Sequence, residues 1–197
     1  NWGALALTFS PTEVIAAGYD GQYARCAIGT TSLSCNYYSS GLRGLPLSAV
    51  EYYAKNTDQY LLLGTTGIFM AVNYNTQDIK GFYYFTGFPQ IIASAIDTTR
   101  GVVFFGTNAT IYSGGTTVPG TVNRVNIDLD SWGIDLRTYT LPNNRGVGAL
   151  YYSTDPTKTD INTGSILYGN NANKATMATV GSQKCGSANC TQCADDP

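Results

Sequence analysis

Leu61-Leu62-Leu63-Gly64-Thr65 is a short apolar run that ends on Gly and Thr, and the same shape recurs along the chain. Cys26-Ala27-Ile28-Gly29-Thr30 comes before it, and Val103-Phe104-Phe105-Gly106-Thr107 and Ile166-Leu167-Tyr168-Gly169-Asn170 come after. The four glycines stand 35, 42 and 63 residues apart, the last interval being lengthened by the polar stretch Asp155-Pro156-Thr157-Lys158-Thr159-Asp160. A second apolar run lies upstream of each: Val14-Ile15-Ala16-Ala17, Ala49-Val50-Glu51-Tyr52, Ala93-Ser94-Ala95-Ile96 and Gly148-Ala149-Leu150-Tyr151. Polar turns join the runs, among them Tyr19-Asp20-Gly21, Asn56-Thr57-Asp58 and Asp97-Thr98-Thr99-Arg100-Gly101. Downstream, 121–127 and 135–141 alternate apolar and polar residues with the period of a half-buried strand. Each unit therefore reads as about four short strands with tight turns.

Working outward, the composition suits such units. The chain has 197 residues, 43% hydrophobic and only 12% charged, with 22 Gly and 15 Tyr. That supports a real core and a largely uncharged polar surface. No window of a dozen residues carries helical spacing free of Gly, Pro and β-branched runs. The Tyr pairs at 37–38, 52–53, 83–84 and 151–152 suit strands, because neighbours on a strand face opposite sides and one ring of each pair can be core. Four-stranded units repeating every roughly 40–45 residues are the pattern of β-propeller blades. The expected fold is all-β, with repeated four-stranded antiparallel units, about four propeller-like blades in a closed or partial ring, and essentially no helix. Residues 1–183 are expected to form this repeat domain and 184–197 a cysteine-rich tail.

The unit from Ile91 to Asn144 resembles repeats of secreted β-propellers in plexin-like and in protist or bacterial surface proteins. The residues that carry the likeness are Ala95-Ile96-Asp97, Gly101 to Thr107, Val122-Asn123-Arg124-Val125-Asn126 and Tyr139-Thr140-Leu141-Pro142. Unit one lacks the Val-x-x-Val-Asn strand, and unit two echoes it only in Ala71-Val72-Asn73. After the last unit, Cys185, Cys190 and Cys193 have the spacing that opens a plexin-semaphorin-integrin cysteine-rich module. The chain stops before the later cysteines of such a module, which leaves these three without their usual partners. The resemblance implies a receptor-type ligand-binding ectodomain.

Cys26 and Cys35 flank Gly29-Thr30-Thr31-Ser32, a spacing that suits a disulfide across a hairpin; two buried free thiols are the alternative. Asn108-Ala109-Thr110 is a glycosylation sequon at Asn108, and Asn189-Cys190-Thr191 is a poorer one. Cysteines and sequons together favour a secreted, oxidising compartment. No stretch approaches the roughly 18 apolar residues of a membrane span, and no charged-then-apolar leader opens the chain. Asn1-Trp2-Gly3 lacks an initiator Met and reads as a mature or trimmed start.

The sequence has no His, which excludes Ser-His-Asp and Cys-His catalysis and any His-ligated metal. With a net charge of −2 and no basic cluster, nucleic acid is not an expected partner. Asn126-Ile127-Asp128-Leu129-Asp130, with Asp135 nearby, could bind calcium through Asp128 and Asp130, yet Ser131 and Arg137 occupy the Gly and Glu positions of the helix-loop-helix calcium pattern. The Asp155–Asp160 loop is a similar candidate. Paired carboxylates for glycoside hydrolysis cannot be placed from sequence, and Glu13 and Glu51 mark only repeat positions. Gly114-Gly115 has no Lys or helix after it, and Cys190-x-x-Cys193 opens no helix, so phosphate and thioredoxin-type sites are not expected. Zinc at the tail lacks a fourth ligand. Neither an enzyme nor a cofactor is expected.

Four units can close as a small ring, form half of a larger one, or be completed by another copy across open strand edges. Ala4-Leu5-Ala6-Leu7-Thr8-Phe9 is then either a strand of the chain's own sheet or one donated to a neighbouring subunit. The expected function is an extracellular structural or adhesive repeat protein, such as a subunit of a surface filament joined through strand edges, with itself or another extracellular protein as partner. The alternative is a carbohydrate-binding or receptor-type propeller that stacks sugars on Tyr, Trp2 or Trp132.

Overall fold

The computed structural model describes residues 3–55, 57–85, 87–98, 101–111, 115–128, 133–140, 146–153, 165–170 and 175–179; at 111, 126–128, 133–140, 152–153 and from 165 onward only the backbone is described. These residues form strands and no helix. The first sheet runs β1 (Ala4–Phe9), β2 (Glu13–Gly18), β3 (Gln22–Ile28) and β4 (Leu33–Ser39) in simple order, and the second runs β5 (Ala49–Lys55), β6 (Asp58–Thr65), β7 (Ile68–Asn73) and β8 (Ile79–Tyr84) likewise. The third has β9 (Ile91–Asp97), β10 (Val102–Thr107), β13 (Thr121–Asp128) and β14 (Gly133–Thr140), and a small ribbon, β11 (Thr110–Ile111) with β12 (Thr117–Val118), interrupts it in sequence. The fourth has β15 (Val147–Ser153), β16 (Ser165–Asn170) and β17 (Ala175–Thr179). The expected antiparallel units are thus present, three of them four-stranded and the fourth three-stranded among the described residues. They fall into two compact parts, 1–91 and 92–197.

The repeat is real but its first member is displaced. The apolar-Gly runs of units two, three and four are second strands, β6, β10 and β16. Cys26–Ile28 instead ends a third strand, and Gly29 starts the β3–β4 turn, its N–H donating to the Ser32 carbonyl at 3.0 Å. Strand pairing identifies the true equivalent. Ala49 stands opposite Gly64 and Ala149 opposite Gly169, while Ala6 stands opposite Ala17. The first and fourth sheets even share a bulge one step beyond this pair, at Ala4/Ala6 and Val147/Ala149. Ala17 thus fills the place of the repeating Gly, and Ala4–Phe9 is the first strand of its own blade rather than one donated to a neighbour. The sequence reading missed this because Ala replaces Gly there, while a turn glycine further on imitates the pattern.

The small residue has a steric reason. A Cβ on Gly64 would lie 3.0 Å from Ile91 Cγ2 and 3.1 Å from Ala49 Cβ, and one on Gly106 would lie 2.4 Å from Val147 Cγ1. Tyr19-Asp20-Gly21 makes the predicted turn: Asp20 and Gly21 both take positive φ, 59° and 65°, which few other side chains tolerate, and Gln22 N–H closes on the Tyr19 carbonyl at 3.2 Å.

Between the first and second blades lies one core. Ala6, Ile15, Ala17, Tyr23 and Tyr38 from the first meet Val50, Tyr52, Leu61, Leu63, Met70 and Val72 from the second, with Leu47 and Tyr74 from the connections. The Tyr pairs split as strand alternation requires: Tyr53 is buried beside half-buried Tyr52, and Tyr38 is turned inward beside exposed Tyr37.

Candidate functional site

The most organised polar cluster sits at the rim of that core, and the hairpin register builds it. Ile15 pairs with Arg25 and Glu13 with Ala27, so Glu13 and Arg25 are diagonal neighbours on one face. Arg25 Nε donates to Glu13 Oε2 at 2.8 Å, and both side chains are largely buried. Arg25 Nη1 donates to the Tyr74 carbonyl at 2.6 Å, while its guanidinium carbon lies 3.5 Å from the centre of the Tyr74 ring and 5.6 Å from that of Tyr38. The Tyr74 hydroxyl donates to Glu13 Oε2 and stands 3.1 Å from Ser10 Oγ. Tyr74 belongs to the β7–β8 loop, which Asn73 Oδ1 shapes by accepting from the N–H groups of Asn75 and Thr76 at 2.9 Å each. Gln77, at a φ of 68°, accepts from the Tyr23 hydroxyl and donates to the Tyr74 carbonyl at 2.6 Å. Tyr23 stacks on Tyr38 with centroids 5.4 Å apart, and Tyr52 meets Tyr74 edge-on at 5.2 Å.

The electrostatics suit a clamp. Burial pushes the Glu13 carboxyl up, but hydrogen bonds from Tyr74 and Arg25, with the Arg25 charge, outweigh it and hold the group below its ordinary value. Burial acts to lower Arg25, and Glu13 and the Tyr74 ring overcome it. Burial drives Tyr23 up to about 12, and it raises Tyr74 and Tyr52 as well. A carboxylate held ionised in this way is a poor proton donor near neutral pH, and the tyrosines are poor bases. The cluster joins two blades. The sequence pattern marked Glu13 only as a repeat position and did not mark Arg25, although the Asp20-Gly21 turn between them brings β2 and β3 into register.

The expected site residues fall out as follows. Cys26 and Cys35 are directly opposed across β3–β4 and form a disulfide, S–S 2.06 Å, as the hairpin spacing suggested. Asn108 is half-buried between β10 and β11, its Oδ1 accepting from the Ala109 N–H at 2.9 Å. Asp128 ends β13 opposite Gly133, and its side chain is not among those described. Asp130, Trp2, Trp132, Cys185, Cys190 and Cys193, with the whole tail 184–197, lie outside the described residues. Among the described residues no group of three or more His, Cys, Asp or Glu could hold a metal ion. No helix there is long and apolar enough to cross a membrane. In the third blade Arg124 and Asp97 are buried charged residues that the sequence pattern did not mark as interior.

A second feature is a surface. On the face of the first blade turned away from the second, Leu7 is 60% exposed, Phe9 65%, Ile28 57%, Leu33 55% and Tyr37 62%. Ladder pairing lines these up with Val14, Ala16, Ala24, Cys26 and Cys35, so no charged residue lies in the rows. Exposed apolar patches of this kind mark interaction sites in soluble proteins.

No known family profile matches the sequence, and no curated protein matches it. Solved structures do. The computationally designed Ika4 protein aligns with a TM-score of 0.55 at 16% identity over 91% of this chain and 92% of its own. The β-propeller domain of Myceliophteria thermophila Cps50 (Swd1) aligns with a TM-score of 0.64 at 13% identity over 87% of this chain. The designed Ika8 protein aligns at 0.55 and 15% identity over 92%. The chain spans 53% of the Cps50 domain and 47% of Ika8, about half of each. Antiparallel sheets that run in chain order, no helix among the described residues and the likeness to a solved propeller make this an all-β chain of the β-propeller type.

Proposed function

We propose that the protein is an extracellular structural or adhesive repeat protein that works by presenting surfaces to other proteins rather than by catalysis. The observation that carries this reading is the charge-free apolar face of the first blade, open to solvent at Leu7, Phe9 and Tyr37. Two further features support it. The Cys26–Cys35 disulfide suits an oxidising compartment. The best-ordered polar cluster, around Glu13 and Arg25, is occupied in joining blades. The resemblance to plexin-like and surface-protein propellers points the same way. In this reading the protein associates with itself, as a filament or ring, or with another extracellular protein, and Asn108 carries a glycan.

Electron microscopy of the native material tests it. Filaments, rings or larger assemblies are the expected result, and uniform single particles of one chain's mass would remove the self-associating form. A second reading, carbohydrate binding, draws on the exposed rings of Tyr19, Tyr37 and Tyr84 as stacking platforms. A glycan array showing no binding would remove it.

A further inference from the structure

We propose that Cys35 is a thiol-exchange site: the sulfur at which a low-molecular-weight thiol opens the Cys26–Cys35 disulfide and to which that thiol becomes joined, with the blade left folded. Strand order comes first. The first sheet runs β1-β2-β3-β4, so β4 is its edge, and Cys35 stands there directly opposite Cys26. A thiolate displaces a disulfide sulfur in line with the S–S bond, from the side away from the leaving sulfur. Between directly opposed residues that bond runs from strand to strand. A thiolate reaching Cys35 Sγ therefore approaches from beyond the sheet edge, where the sheet has no further strand. One reaching Cys26 Sγ would have to come over β2, where Val14 pairs with Cys26. Burial agrees. Cys26 is 5% exposed, whereas Cys35 is exposed, as are Ser34 and Asn36 on either side of it.

The register lets the bond open without unpairing the strands. Gly29 N–H donates to the Ser32 carbonyl, which makes 29 and 32 a hydrogen-bonded pair. Such pairs alternate along an antiparallel ladder, so 27 with 34 is hydrogen-bonded and 26 with 35 is not. The Cα atoms of the two cysteines are 4.0 Å apart, the close spacing of a non-hydrogen-bonded pair. No backbone hydrogen bond passes between them, and the β3–β4 ladder keeps its bonds when the S–S bond breaks. On its other side β3 is paired with β2 from Tyr23 to Ala27, which holds Cys26 in place in either state. In the exchange the incoming thiolate forms a new S–S bond to Cys35 as the old bond breaks, and Cys26 leaves as a thiolate that takes a proton from water. Reversal needs no further reactant: Cys26, deprotonated again, attacks Cys35 Sγ from its paired position and expels the small thiol. Alternatively a second small thiol attacks the sulfur of the first. Two small thiols are then oxidised to one small disulfide as the protein disulfide is reduced to two thiols.

Reduced glutathione serves as the small thiol in the test. The whole chain is incubated with it without denaturant, free thiols are trapped with iodoacetamide, and tandem mass spectrometry maps the tryptic peptide 26–43, which holds Cys26 and Cys35 and no other cysteine. The expected product carries glutathione on Cys35 and the alkyl group on Cys26, with the far-ultraviolet circular dichroism of the native protein unchanged. Glutathione on Cys26 instead, reaction only after urea is added, or loss of strand signal on reaction would each overturn the proposal. Single variants check the order of reactivity. With oxidised glutathione, the Cys35 thiol left in Cys26→Ser should be modified at least about tenfold faster than the Cys26 thiol left in Cys35→Ser, read in the same peptide. Equal or reversed rates would overturn the assignment to Cys35, and the wild-type map decides it whether or not either variant folds.

Discussion

Leu7 in the first blade and Val50 in the second occupy the same place in the same strand of the same sheet, yet Leu7 is 60% exposed and Val50 1%. The difference lies in what covers them, not in their local structure. Both sit on antiparallel first strands and both face rows of apolar neighbours. The second blade has the first one against it, whereas the outer rows of the first are apolar and exposed at Leu7, Phe9, Ile28, Leu33 and Tyr37.

Matched substitutions break this comparison most sharply. Val50→Lys buries an ammonium in the core between the blades and should cost more than about 4 kcal/mol, enough to abolish folding of the first unit; Leu7→Lys should cost less than about 0.5 kcal/mol in the monomer. Urea unfolding followed by circular dichroism measures both, and equal costs would show that the two faces do not differ. Next in size is the clamp that holds the covered face in place. Arg25→Ala takes the charged partner from Glu13, leaving it the Tyr74 hydroxyl, and one of two donors from the Tyr74 carbonyl, and should cost about 3 kcal/mol in the same assay.

The clamp also predicts a pH dependence. Glu13 is lowered on folding, so its contribution is complete above the unfolded value of about 4.5 and fades as pH falls through the folded one. Tyr23 is raised to about 12, so its contribution is complete below about 10 and is lost between 10 and 12. Melting temperatures across pH, with Glu13→Gln and Tyr23→Phe as controls, check the two limbs separately.

On the open face, replacing Cys26 and Cys35 together by Ser should cost about 2 kcal/mol through the short loop released, measured as a fall in denaturation midpoint. Effects of similar size or smaller concern the repeating small residue. Gly106→Ala, which drives a Cβ to within 2.4 Å of Val147, should cost about 2 kcal/mol, and Gly64→Ala, with contacts of 3.0 and 3.1 Å, about 1 kcal/mol. Reversal of that order in thermal melts would show that the neighbours, not the glycines, give way.

Much of the architecture was legible because it is written in periodicity. Alternation over 121–127 became β13, the Asp20-Gly21 turn formed with both residues at positive φ, and the Cys26–Cys35 spacing closed as a hairpin disulfide. The register of the first blade was not legible. Gly29 and Ala17 differ in role only through pairing partners, which one strand's sequence does not contain. The Glu13–Arg25–Tyr74 cluster was hidden for the same reason, since it joins a hairpin to a loop 49 residues beyond Arg25. Exposure of the Leu7 and Phe9 rows was hidden too, because apolar alternation in β1 reads as core whether or not a neighbour covers it.

Hydroxyl-radical footprinting of Phe9, Leu33 and Tyr37, read by mass spectrometry on dilute and concentrated protein, tests the central claim most directly. Self-association through the apolar face should give strong oxidation of all three in the dilute protein and a joint loss of reactivity as concentration rises, while exposed Tyr19, outside the four paired strands, stays constant. Rates that do not change with concentration, whether high or low, would contradict it.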